Sequence, residues 1–474
     1  MIHAVSHAAR RHLFGTIAFV AALGAIAVAA PAASAATFEV KNRQDQPDVT
    51  PGDGVCEAAN GKCTMRAAFE EANALSSNDK IKARGGIYIL DDGELLIEDN
   101  GSLKVRGDDQ FGRTVAIDAD GGSRVIDILE GASAKLFGIS VTGGESRDGE
   151  GAGIRTGFGT ETKLTRVRVN GNRSLFGGGG IANAGQLSVV RSDIETNSAD
   201  GNGGGILSGP DFLQPPEARG LDVISVSLRN TRINNNDADL GGGGLYIGNG
   251  LLDVYRSTIS GNTAGEFGGG ILASPLRSLR GAEGGNGELA VHVELITSTV
   301  SSNKSGITGF EVGDGSGGGI MLFGGSELLA EHSTIADNTN NASEINTGAG
   351  LAMDGGESTI RNTIIAENRT NGEMDNCRAS EGDIVSLGFN LENRAQCEFD
   401  EGSDFQNVNP QIGRLRLNPP SPTKPGGRGE THRIAASSPA HNGGPNNCGP
   451  QDQRAVPRPK GASCDIGSFE RKKG

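Results

Sequence analysis

The chain has 474 residues with 76 glycines, 4% aromatics and no tryptophan, too much glycine and too little bulk for an ordinary globular core. No Gly-X-Y period runs through it, which excludes collagen. The formal net charge of −15 argues against nucleic acid and anionic membranes as general partners, and losing Arg10 and Arg11 (−15 − 2 = −17) strengthens that.

Residues 1–35 read as a secretory leader. Arg10 and Arg11 form the charged start, Leu13 to Ala30 the apolar run, and Ala33-Ser34-Ala35 an A-x-A cleavage site. Arg10-Arg11-His12-Leu13-Phe14 departs from the twin-arginine order, so general secretion is expected. No second apolar run reaches membrane-spanning length, and the mature chain is expected to be exported and soluble.

Cys56 and Cys63 lie close enough for a small disulfide loop, and export favours oxidation. From Thr64, residues Met65, Ala68, Phe69, Ala72 and Leu75 fall on one helical face, and Ser76-Ser77-Asn78 ends it. A short amphipathic helix ahead of a β solenoid would cover the exposed edge of its first coil. Asp48 and Asp53 could serve as calcium ligands, but the alternating D-x-D-x-D-G pattern is missing, and an Asp-rich turn is the simpler reading.

Residues 87–141 lay down the first coils, and then a repeat of about 25 residues or more takes over. An apolar residue, a second apolar residue five positions on and an asparagine three further recur as Leu164/Val169/Asn172, Val189/Ile194/Asn197, Leu228/Ile233/Asn236 and Val254/Ile259/Asn262. Leu295/Val300/Asn303, Ala330/Ile335/Asn338 and Ile360/Ile365/Asn368 continue it, while the earlier Leu136/Val141 has Gly144 in place of the asparagine. An odd offset breaks strand alternation, so a corner near Arg256–Ser257 must turn both apolar residues inward. Stacked asparagines suit an interior amide ladder. The expected fold is all-β, a right-handed parallel β-helix (a pectin-lyase-like solenoid) over 87–370, with a cap over 36–86 and another over 371–474.

Two connections swell, near Ser208–Leu221 and Ala273–Glu288. Insertions at one register leave from one corner, so these loops are expected as two walls of a cleft. After Asn368 come Cys377, Cys397, Cys448 and Cys464, which allow three pairings; the local one, 377–397 with 448–464, matches two separate segments.

Two segments resemble known families. Cys-Thr-Met-Arg-Ala-Ala-Phe-x-x-Ala-Asn from Cys63 resembles the CSLREA domain motif, with Met65 for its leucine and Ala67 for its glutamate. Such domains precede right-handed parallel β-helices in secreted bacterial proteins. The tail, with Ser386-Leu387-Gly388-Phe389-Asn390-Leu391, Asn409-Pro410, Asp452-Gln453-Arg454 and Cys464-Asp465-Ile466-Gly467-Ser468-Phe469-Glu470, resembles the choice-of-anchor Q domain. Only Arg-Lys-Lys-Gly follows Glu470, so no anchor is expected. The Gly-Ile and Ile-x-x-Asn pairs are also similar to the repeats of chlamydial polymorphic outer-membrane proteins, which are adhesins.

The motifs of common chemistries do not appear. No Ser-His-Asp pattern, no metal-spaced His/Cys cluster and no phosphate loop is legible, and the glycine runs, like Gly313-Asp314-Gly315, are corners. His292 alternates with Val291 and Val293 and should face solvent. One column stands three residues before each inner apolar position: Arg166, Arg191, Asn230, Arg256, Thr297, His332 and Asn362. Arg166, Arg191 and Arg256 are the candidate ligand-binding residues, with Asp193 and Glu195 as the simpler compensating partners. The expected function is non-catalytic, adhesin-like binding of an extracellular polysaccharide or cell surface. A polysaccharide lyase or glycoside hydrolase acting on an acidic polymer, and a purely structural rod, are the alternatives. No cofactor, no metal and a monomer are expected.

Overall fold

The computed structural model describes residues 34–98, 101–108, 114–209, 224–275, 291–306, 316–342, 347–418 and 429–472. Most of the expected leader, most of the two long loops at 208–221 and 273–288, and Gly313-Asp314-Gly315 lie outside the described residues.

From Ser133 on, each regular turn of the chain contributes a short strand to each of four stacked faces; the earlier coils lack a strand on the third. One full coil runs Gln186–Val190, Asp193–Glu195, Ser198–Ala199 and Ile206–Ser208, and the next begins at Ser225–Arg229. Among the described residues the first face holds twelve strands, the second eleven, the third nine and the fourth ten. The result is a right-handed parallel β-helix, the hand favoured for crossovers between parallel strands.

The apolar columns stack without a register slip. Leu164, Val189, Leu228, Val254, Leu295, Ala330 and Ile360 pair in sequence along the first face. Val169, Ile194, Ile233, Ile259, Val300, Ile335 and Ile365 do so along the second. All fourteen are fully buried, each worth about 1.5–3 kcal/mol if it is Val, Leu or Ile.

The odd offset between the columns has a backbone cause. Arg166, Arg191, Asn230, Arg256, Thr297, His332 and Asn362 all adopt left-handed φ, between 48° and 54°. That conformation costs a residue with a Cβ about 1–3 kcal/mol. At every one of these corners but that of Arg166, a hydroxyl residue follows immediately and supplies hydrogen bonds that offset it. Ser257 accepts the amide of Thr231 at 3.1 Å and donates to the carbonyl of Tyr255; Ser298 and Ser333 repeat this one and two coils on.

The asparagine column forms a second ladder at the opposite corner. Asn172, Asn197, Asn236, Asn262, Asn303 and Asn338 each donate Nδ2 to the Oδ1 of the next member, at 2.9–3.0 Å, ending on Asn368. Asn368 extends the run to Asn376 at 3.2 Å, and at the other end Gly144 donates its amide to Asn172. The corner after the ladder needs glycine: a Cβ on Gly242 (φ 67°) would lie 2.5 Å from the carbonyl oxygen of Leu245.

The coils run beyond 87–370 at both ends. Thr37–Val40 and Lys80–Arg84 open the first face, and Cys377–Ala379, Ile384–Ser386 and Leu391–Glu392 add a further turn. The helix Met65–Ala74, capped by Thr64 accepting the amide of Ala67, packs on the first strands. Asp48 accepts the amides of Thr50 and Glu57, and Asp53 that of Val55, so both carboxylates brace turns. The disulfides are Cys56–Cys63, Cys377–Cys397 and Cys448–Cys464, with no free cysteine.

The tail does more than close the end. Residues 429–472 fold back over the second face, covering Thr258, Thr299, Ser301, Thr334 and Ile364. Gln453 is the central tie, donating to Ser257 and Thr258 and accepting from Thr299 at 2.6 Å.

Candidate functional site

The three candidate arginines do not form one surface. Arg256 is 9% exposed under the returning tail, donating to the Gln453 carbonyl at 3.2 Å and to Gln451 at 3.1 Å. It is a structural tie, for a reason the local repeat does not carry. Arg166 and Arg191 are exposed on neighbouring coils. The acids expected to compensate them serve other arginines: Asp193 pairs with Arg232 at 2.8 Å, and Glu195 pairs with Arg168. The recurring feature of this column is its left-handed backbone, so its side chains vary freely.

The concentrated charge lies elsewhere, on the outer side of the first face. Lys80, Lys104, Lys135 and Lys163 occupy the same register on four successive strands. Their neighbours along the strand build the rest: Lys82 pairs in register with Arg106, Arg106 with Phe137, and Arg84 ends the second strand. Alternation explains the placement, since Ile81, Val105, Leu136 and Leu164 fill the core between them.

Adjacent strands are roughly 4.8 Å apart, so this column repeats a positive charge at that interval over roughly 14 Å. Like charges directly opposite one another are unfavourable. Little offsets them. Lys82 approaches Glu39 at 3.9 Å, while Lys80, Lys104, Lys135 and Lys163 have no ion pair among the described residues. Desolvation, then Lys82, Lys104 and Arg106, pull the Lys80 ammonium below its usual range.

Phe137 gives the patch an apolar anchor, with the guanidinium carbons of Arg106 and Arg166 at 5.2 and 5.7 Å from its ring centre. Arg166 therefore does join the basic face, across the corner. A groove of about 280 Å³ runs between Glu39, Lys80, Lys82, Arg84, Arg106 and Asp108. Further along, the same columns turn acidic, through Asp253, Glu294 and Glu331.

Two histidines show what the fold does with an imidazole, one under the tail and one on the surface. His432 accepts from or donates to Ser301 through Nε2 at 2.8 Å, with Nδ1 on the Gly413 carbonyl at 2.8 Å and Asp337 at 3.9 Å. Because a carbonyl can only accept, Nδ1 carries the proton and Nε2 receives the Ser301 hydroxyl. Ser301 and His432 are both buried under the tail, and desolvation holds the imidazole below its ordinary pKa, so the pair is a neutral structural contact. His292 is half exposed and meets Glu327 at 2.9 Å. Among the described residues no group of three or more His, Cys, Asp and Glu is placed to hold a metal ion, and no helix is long and apolar enough to cross a membrane.

No protein-family model matches the chain, and no curated protein matches it. Among solved structures it is similar to pectate lyase Pel9A, with 13% identity, a TM-score of 0.46, and coverage of 92% of this chain and 98% of that one. Likeness at that level says nothing of chemistry.

Proposed function

We propose that the basic face of the first coils is a non-catalytic docking surface for a linear acidic polysaccharide outside the cell. The observation that carries this reading is the in-register column Lys80, Lys104, Lys135 and Lys163, without ion-pair partners among the described residues in a chain of net charge −15. A fold gains nothing from stacking four ammonium groups; a polyanion lying along the solenoid axis would neutralise them together. Polysaccharide rather than nucleic acid fits the leader-like start and three disulfides, which belong to an oxidising, exported setting. The CSLREA-like and choice-of-anchor-Q-like segments then serve as the two ends of an adhesin-like rod.

The test is a binding panel on the exported protein with polygalacturonate, its methyl-esterified form, a neutral glucan and single-stranded DNA. Binding to polygalacturonate, weakened by esterification and by Lys104→Ala with Lys135→Ala, is expected, with no release of unsaturated uronate. Equal binding to the neutral glucan would contradict the reading, preference for DNA would replace it, and turnover would restore the lyase alternative.

A further inference from the structure

Asp79 is a carboxylate buried to 2% exposure where the first coil begins. One of its oxygens accepts the Ala36 amide at 2.7 Å and the Ser77 hydroxyl at 2.5 Å. The other is also buried and has no hydrogen-bond partner among the described residues. A half-satisfied buried carboxylate is costly, because it has lost water without full replacement.

The residue at its mouth is not arbitrary. Ala36 directly follows Ala33-Ser34-Ala35, the small-residue pattern that marks leader cleavage. Ser34 and Ala35 are exposed, so the bond ahead of Ala36 is open to a peptidase, while the Ala36 carbonyl already accepts the Lys80 amide at 3.0 Å.

We propose that Asp79 is the receptor for the amino terminus created by cleavage between Ala35 and Ala36. Hydrolysis adds one water: Ala35 leaves with the carboxylate, and the Ala36 nitrogen becomes an amine that takes up a proton at neutral pH. The resulting ammonium has three donors where the amide had one, enough to reach the second Asp79 oxygen. Processing therefore completes the first coil as well as releasing the leader.

The other charged groups nearby have separate roles. Glu39 lies on the strand that follows Ala36, and Lys80 and Lys104 on the two successive strands beside it, all at outward positions. On the helix packed against these strands, Arg66 binds Asp45, Glu70 binds the Asp48 amide, and Glu71 binds the amides of Gly52 and Gly54.

The exported protein should begin at Ala36 by intact mass. A chain starting at Ala36 is then compared with one retaining Ser34-Ala35, each with and without Asp79→Asn. The substitution is expected to lower the folding equilibrium constant at least about tenfold more in the chain that starts at Ala36. A second readout needs no substitution. The paired amine has its folded-state pKa raised above its unfolded value of about 7.7–8.0, so its stabilisation is complete below that pH and lost as pH rises through the folded pKa. The chain starting at Ala36 should lose that increment on the alkaline side relative to the longer one. A different mature start, equal effects of Asp79→Asn in both chains, or parallel pH profiles would each overturn the proposal.

Discussion

At the scale of single residues, the ladder asparagines show why an invariant spacing is informative. Asn262 donates Nδ2 to Asn303 and to the Ile233 carbonyl, and its Oδ1 accepts both the amide and the Nδ2 of Asn236. No other side chain makes those four bonds, so the sequence repeats the residue itself. Asn262→Leu is expected to cost about 1–3 kcal/mol in a denaturant titration; an unchanged midpoint would contradict the ladder. The left-handed corner leaves no such trace, because the conformation recurs while Arg, Asn, Thr and His share the position.

Buried ionisable residues set a pH dependence at the same scale. Burial pushes the Glu150 carboxyl up to about 8, with Arg155 lowering it only in part. The folded state therefore holds a proton between its ordinary 4.5 and about 8 that the unfolded chain releases, and stability falls as pH rises through that window. Glu150→Gln should remove this loss, at most about 1.4 kcal/mol per pH unit, in midpoints compared across pH 4.5 to 8. Desolvation drives His332 down to about 3, with the opposite sign: stability falls as pH drops from 6.5 towards 3.

At the scale of elements, the returning tail was the part least legible from the chain. Its ties join positions such as Arg256 and Gln453 or Thr334 and Ser468, far apart in sequence and without any period. What it leaves in the sequence is indirect, in the small Thr, Ser and Ala side chains facing outward on the second face from Thr258 to Ala336, followed by the apolar Ile364. Its fit is close at Gly467 (φ 91°), where a Cβ would come within 2.8 Å of Ile364 and 2.9 Å of Thr334. Gly467→Ala should loosen the tail ahead of the coils, seen as faster amide exchange at 451–469 with the Asn ladder still protected. Uniform loss of protection would mean tail and coils unfold as one. The basic column was equally hidden, since Lys80, Lys104 and Lys135 fall on coils that precede the regular asparagine repeat and only Lys163, beside Leu164, lies within its first copy.

At the scale of the whole molecule, the first face stacks twelve strands among the described residues, which span roughly 50 Å on strand spacing alone. Its charge is unevenly spread along that length, basic over the first coils and acidic beyond Asp253. On the proposed reading, a polyanion would be attracted to one end and repelled from the other. The most direct check is the affinity for polygalacturonate as a function of salt, for the exported protein and for Lys104→Glu with Lys135→Glu. The account predicts affinity that falls steeply with salt in the first, and a loss of at least about tenfold with a flattened salt response in the second. An affinity and salt response unchanged by reversing both charges would contradict it.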